Sequence, residues 1–149
     1  MIKRVVVPVD FSEASIRGAR YAVDELAPQL GAEVIFVTVL ELTDLRVAMS
    51  AGLHGFDSDE ELHRQVEAWI EEQFRKIESA AQTSVKAKRD IRRSGLPERE
   101  IVEAIREHQA DLIVMGSVGV AKRIPFGSKA EYVIRHIDLP VVLLRPKSD

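Results

Sequence analysis

Short apolar runs alternate with helical stripes along this chain. Lys3 to Val9 is β-branched and almost continuously apolar, the pattern of a strand buried on both faces. Pro8 falls near its end, where a missing donor matters least. Asp10-Phe11-Ser12 then offers helix-capping side chains. Ala19, Ala22, Val23, Leu26 and Leu30 recur at helical spacing, and Gly31 ends the helix. Glu33 to Leu40 predicts a second buried strand. Glu41 to Phe56 is irregular, and a connection of that length is expected to be functional, mobile or locally helical. Leu62, Val66, Trp69, Ile70, Phe74 and Ile77 then mark the core-facing stripe of a long helix.

Ser84 to Arg92 predicts a third, more polar strand at or near a sheet edge. Pro97 suits the first position of the next helix, whose apolar face is Ile101, Ala104 and Ile105. Asp111 to Met115 is a fourth strand, and Gly116 to Gly127 a glycine-containing loop. A helix from about Ser128 to His136 and a strand from Pro140 to Arg145 complete the chain. Strict alternation of strand and helix predicts a doubly wound parallel sheet, with right-handed crossovers and helices on both faces. Ligands of such sheets sit beyond the carboxyl ends of the strands, where strand order reverses. The two strand ends that this rule selects are Val9-Asp10 and Met115-Gly116.

Composition narrows the function classes. The 149 residues fit one domain, 1–149, and bury enough surface to need neither disulfide nor metal. The chain has no cysteine, which excludes a thiol nucleophile and a thiolate-ligated metal. The net charge of −3 has mixed signs, so no field is expected that would hold a nucleic acid. The basic cluster from Lys86 to Arg93 reads as a solvated edge. The apolar run behind Met1 is too short for a signal peptide or a membrane span, so the expected location is cytoplasmic. His54, His63, His108 and His136 have no ligand spacing. Ser12, Ser117 and Ser128 have no evident base, so no demanding catalysis is expected.

Several segments together resemble the universal stress protein family, over nearly the whole length. They are Val7-Pro8-Val9-Asp10-Phe11-Ser12, Gly31 to Glu41, Ala110 to Ser117 and Pro140 to Arg145. The resemblance implies a five-stranded sheet in the order 3-2-1-4-5. It also implies a homodimer paired through the last strand, Val141 to Leu144, and an adenine nucleotide as ligand: ATP, or ADP or AMP, with Mg²⁺. The family's nucleotide-binding members carry G-x2-G-x9-G-[ST]. Here Gly116-Ser117-Val118-Gly119 opens the pattern and Gly127-Ser128 closes it, but only seven residues separate Gly119 from Gly127. The shortening either pulls the loop off the phosphates or trims its far side and leaves both ends in place.

Glycines let a backbone approach phosphate oxygens, and the helix N-terminus at Ser128 adds positive potential. The Ser128 hydroxyl is a donor, and Lys122, Arg123 and Lys129 are cations in or beside the loop. The resemblance further implies that Asp10 lies near the ribose or the metal-bound phosphates. Pro8 and Val9 would wall the nucleoside, Val39 would offer backbone groups to the adenine and Met115 would pack on the base. Ala130 completes the expected set. Asp10 is equally suited to capping the first helix, and one oxygen can cap while the other faces a ligand. The reading of function is an ATP-binding regulatory module in stress response, with an unidentified protein partner. The alternatives are a nucleotide-free dimeric interaction protein or, as a third, an enzyme that transfers AMP.

Overall fold

The computed structural model describes residues 1–41, 59–81, 84–118 and 127–147. Its elements are β1 (Arg4–Pro8), α1 (Glu13–Tyr21), α2 (Ala27–Leu30), β2 (Glu33–Leu40), α3 (Asp59–Ser79), β3 (Ala87–Arg93), α4 (Pro97–Glu107), β4 (Leu112–Gly116), α5 (Ser128–His136) and β5 (Val141–Leu144). A π-helical segment, Ala22–Leu26, joins α1 to α2. All pairings are parallel, in the order β3-β2-β1-β4-β5. The expected sheet and strand order are therefore present. Among the described residues no helix is long and apolar enough to cross a membrane.

Period-two alternation divides the core between the two faces of the sheet. Val5, Val7, Val34 and Phe36 pack with Val66, Ile70 and Phe74 of α3. Val6, Ile35, Val37, Ile113 and Met115 pack with Ile101 and Ile105 of α4 and Val133 of α5. β1 is fully enclosed because it is central and helices cover both of its faces: Val5, Val6 and Val7 are all 0 % exposed.

Local signals set the ends of elements. Ser12 is the N-cap of α1, its Oγ accepting from the Ser15 N–H at 3.3 Å. Gly31 closes α2 at φ 65, a left-handed conformation that glycine adopts without steric cost. Pro97 opens α4, where its missing N–H is not needed. Asp111 ties β4 to the start of β1, its Oδ2 accepting from the N–H groups of Lys3 and Arg4 at 2.8 and 3.0 Å.

β3 is the edge strand expected from its polarity, but pairing begins at Ala87 rather than Ser84, because Val34, near the start of β2, is its partner there. Its cations are not merely solvated. Alternate side chains face the two neighbouring helices. Arg89 pairs with Glu71 and Glu78 of α3, and Arg93 with Glu60 and Glu67. On the other side Arg92 reaches Asp90, Glu100 and Glu107. Trp69 departs from the expected core stripe. It is 41 % exposed, because it sits at the margin of α3, where its ring meets Phe11 edge-on at 5.2 Å.

Candidate functional site

The chain passes from β1 to β2 and β3 on one side and returns to β4 on the other. Beyond the carboxyl ends of β1 and β4, this reversal leaves a cleft, partly open to solvent. Its lining includes Pro8, Val9, Asp10, Val39, Met115, Gly116, Ser117, Gly127, Ser128, Lys129 and Ala130. These are all of the expected site residues except Gly119, which lies outside the described residues, as do Lys122, Arg123 and His54. Ser15, Val37, Pro97, Ile101 and Val118 also line the cleft. Pro97 and Ile101 read in the sequence only as an opening turn and a core face, since nothing local signals that α4 leans over the ends of β1 and β4.

Ser117 organises the entrance. Its N–H donates to the Leu144 carbonyl at 2.8 Å, and its carbonyl accepts from the Gly127 N–H at 2.7 Å. Both ends of the glycine loop are thus fastened together beside β5. The Ser117 side chain is 2 % exposed, and its Oγ has no hydrogen-bond partner among the described residues. Burying a hydroxyl unpaired costs about 1–3 kcal/mol, a cost that a ligand oxygen at this position would offset.

The first turn of α5 contributes backbone donors. Gly127 is its N-cap, with no side-chain cap, and the opening N–H groups of a helix have no intrahelical acceptor. They carry the positive end of the helix dipole. The Ser128 hydroxyl does not turn into the cleft; it donates to Glu98 Oε1 at 3.3 Å.

Asp10 serves two neighbours with its two oxygens. Oδ1 accepts from the Ser12 N–H at 2.9 Å, while Oδ2 lies 4.0 Å from Lys129 Nζ. The carboxylate therefore caps the turn before α1, and Ser12 caps the helix itself. Lys129 Nζ is also 4.0 Å from Glu41 Oε1. Both distances are too long for hydrogen bonds, so this ammonium holds two carboxylates by charge alone.

Gly116 has a packing reason to be glycine as well as a place in the cleft lining. A Cβ on Gly116 would meet Ser15 N at 2.7 Å and Ala14 C at 2.9 Å. Its missing side chain lets α1 pack against the end of β4.

Among the described residues no histidine lines the cleft. His108 Nε2, at the end of α4, lies 2.7 Å from Asp90 Oδ2 of β3, and His136 Nδ1 contacts the Tyr132 carbonyl at the end of α5. Among the described residues no group of three or more metal-ligating side chains is present.

Comparison with known proteins places this geometry in a family. The universal stress protein MJ0531 of Methanocaldococcus jannaschii is 31 % identical over 153 residues, covering 100 % of this chain and 86 % of its own. The solved structure of MJ0577, from the same organism, has a TM-score of 0.76 at 25 % identity and covers 100 % of this chain and 99 % of its own. The universal stress protein of Archaeoglobus fulgidus in complex with dAMP is similar at a TM-score of 0.59 and 26 % identity, covering 97 % and 98 %. The family model for universal stress proteins matches residues 1–145. With that match spanning the sheet and both sides of the cleft, the chain belongs to the universal stress protein family.

Proposed function

We propose that this protein is a regulatory module that binds an adenine nucleotide, ATP or its di- or monophosphate, in the cleft between β1 and β4. The observation that carries the reading is the convergence on one cleft of the Asp10 carboxylate, the unpaired buried Ser117 hydroxyl and the open first turn of α5. Apolar walls from Val9, Val39 and Met115 suit a base, and the helix N-terminus suits a phosphate. The dAMP complex of the Archaeoglobus fulgidus relative supports an adenine nucleotide as the ligand class.

Asp10 and Glu41 are the carboxylates suited to Mg²⁺, which takes oxygen ligands from one or two such groups and from phosphates. Bound there, the ion would neutralise phosphate charge. The reading assigns no demanding chemistry to the site, and any ATP hydrolysis is slow. Nucleotide occupancy favours whichever conformer binds it better, and a protein partner in a cytoplasmic stress response reads that conformer. The functional unit is a homodimer paired through Val141 to Leu144, which form the half-buried edge strand β5.

The test is a calorimetric titration of Mg-ATP into refolded, nucleotide-stripped protein. Saturable binding of a single nucleotide per chain, at micromolar affinity or better, is expected. A second reading, a nucleotide-free interaction protein, is favoured by one observation: Lys129 and Ser128 already face carboxylates of the chain itself. Absence of heat, together with no competition against a labelled nucleotide, would establish that second reading in place of the first.

A further inference from the structure

The turn between β1 and α1 joins the two sides of the sheet within two residues. Asp10 lines the cleft, whereas Phe11 packs against the opposite cluster. The Phe11 ring lies 5.2 Å from Trp69 and 5.4 Å from Phe74. Phe11 has φ 61, the left-handed region, which is strained for a bulky side chain. The turn around it is held by the hydrogen bond from the Asp10 N–H to Ser15 Oγ at 3.3 Å and by two further groups of contacts. One is the hydrogen bond from the Ser12 N–H to Asp10 Oδ1; the other is the pair of aromatic contacts. The other oxygen of the same carboxylate faces Lys129 in the cleft.

We propose that the Asp10–Phe11 turn couples occupancy of the cleft to the exposed Trp69 face of α3. The inference rests on the reading that the cleft takes an adenine nucleotide. A ligand hydroxyl or cation that draws the Asp10 carboxylate toward Lys129 weakens its hold on Ser12. The left-handed Phe11 then loses one of its supports, and its ring moves against Trp69. Trp69 and Ile16 are 41 % and 36 % exposed, so the movement alters an apolar surface that a partner can read. Binding linkage is reciprocal, so a partner seated on Trp69 changes nucleotide affinity by the same factor.

Trp69 is the sole tryptophan, and its fluorescence reports the coupling directly. In the ligand-free protein, Asp10→Ala is expected to red-shift Trp69 emission and to raise its quenching by acrylamide. Asp10→Asn, whose amide oxygen still accepts from Ser12, is expected to keep the emission of the unaltered protein. Unchanged emission and quenching in a folded Asp10→Ala protein would overturn the coupling. Titration of dAMP into the unaltered protein needs no variant: heat and emission that saturate together support the coupling, and saturating heat with constant emission overturns it. Absence of heat with dAMP and with Mg-ATP alike would remove the nucleotide reading alone, and the two Asp10 variants would still decide the coupling.

Discussion

The N–H of Gly127 donates to the carbonyl of Ser117 at 2.7 Å. The two ends of the glycine loop meet at this bond, although the chain has seven residues between Gly119 and Gly127 where the family pattern has nine. The shortening therefore leaves Gly116-Ser117 and Gly127-Ser128 side by side. Gly127 itself has φ −74 and ψ 164, extended backbone that any residue adopts. Gly127→Val is thus expected to fold with an unchanged denaturation midpoint, while its side chain enters the cleft and abolishes nucleotide binding in a calorimetric titration. Unchanged affinity would remove the loop from the site.

Lys129 stands opposite Asp10 and Glu41 at 4.0 Å from each, with its hydrogen-bond donors uncommitted to either. Lys129→Ala should weaken triphosphate binding by roughly tenfold or more, the value of about 1.5–3 kcal/mol for a hydrogen bond to a charged group. Adenosine affinity should change little. Equal losses for the two ligands would show that Lys129 does not touch phosphate.

A methyl group at Gly116 would collide with backbone atoms of Ser15 and Ala14, which cannot rotate away as side chains do. Gly116→Ala should cost about 1–3 kcal/mol, as other overpacked cores do, read as a lower urea midpoint. A stability equal to that of the unaltered protein would show that α1 shifts freely at this contact.

Burial pushes the Asp90 carboxyl up, but hydrogen bonds from Arg92 and His108 outweigh it and hold the group below its ordinary value of 3.8. A carboxyl depressed in the folded state stabilises above its unfolded value, and the contribution is lost as pH falls through the folded one. Asp90→Asn should therefore cost about 1–3 kcal/mol at neutral pH, with a deficit that shrinks in acid below the ordinary value. Urea denaturation at both pH values measures this, and a deficit independent of pH would assign the loss to packing.

β5 is a four-residue edge strand whose residues are all half-buried. A charge at Leu143, introduced by Leu143→Asp, is expected to break the proposed dimer or the fold, read by light scattering and circular dichroism. A folded dimer carrying that charge would move the interface to another surface.

Alternation of apolar runs and helical stripes was enough to specify the parallel sheet, because burial on both faces leaves a continuous apolar strand few other places. The central run Val5-Val6-Val7 and the helix start at Ser128 were legible for local reasons; the cleft followed from the strand order that the family resemblance implied. Trp69 was not: its helical phase matches the core stripe, yet it is left partly exposed beside Phe11. Ser117 appeared in the sequence as one member of a glycine pattern, yet its buried unpaired hydroxyl depends on how β4, β5 and the loop ends enclose it. Gly116 was legible as the first glycine of a loop pattern, but the close approach of α1 to it was not. Periodicity encodes which face of an element is buried; which groups meet across the cleft depends on distances between elements that no local pattern contains.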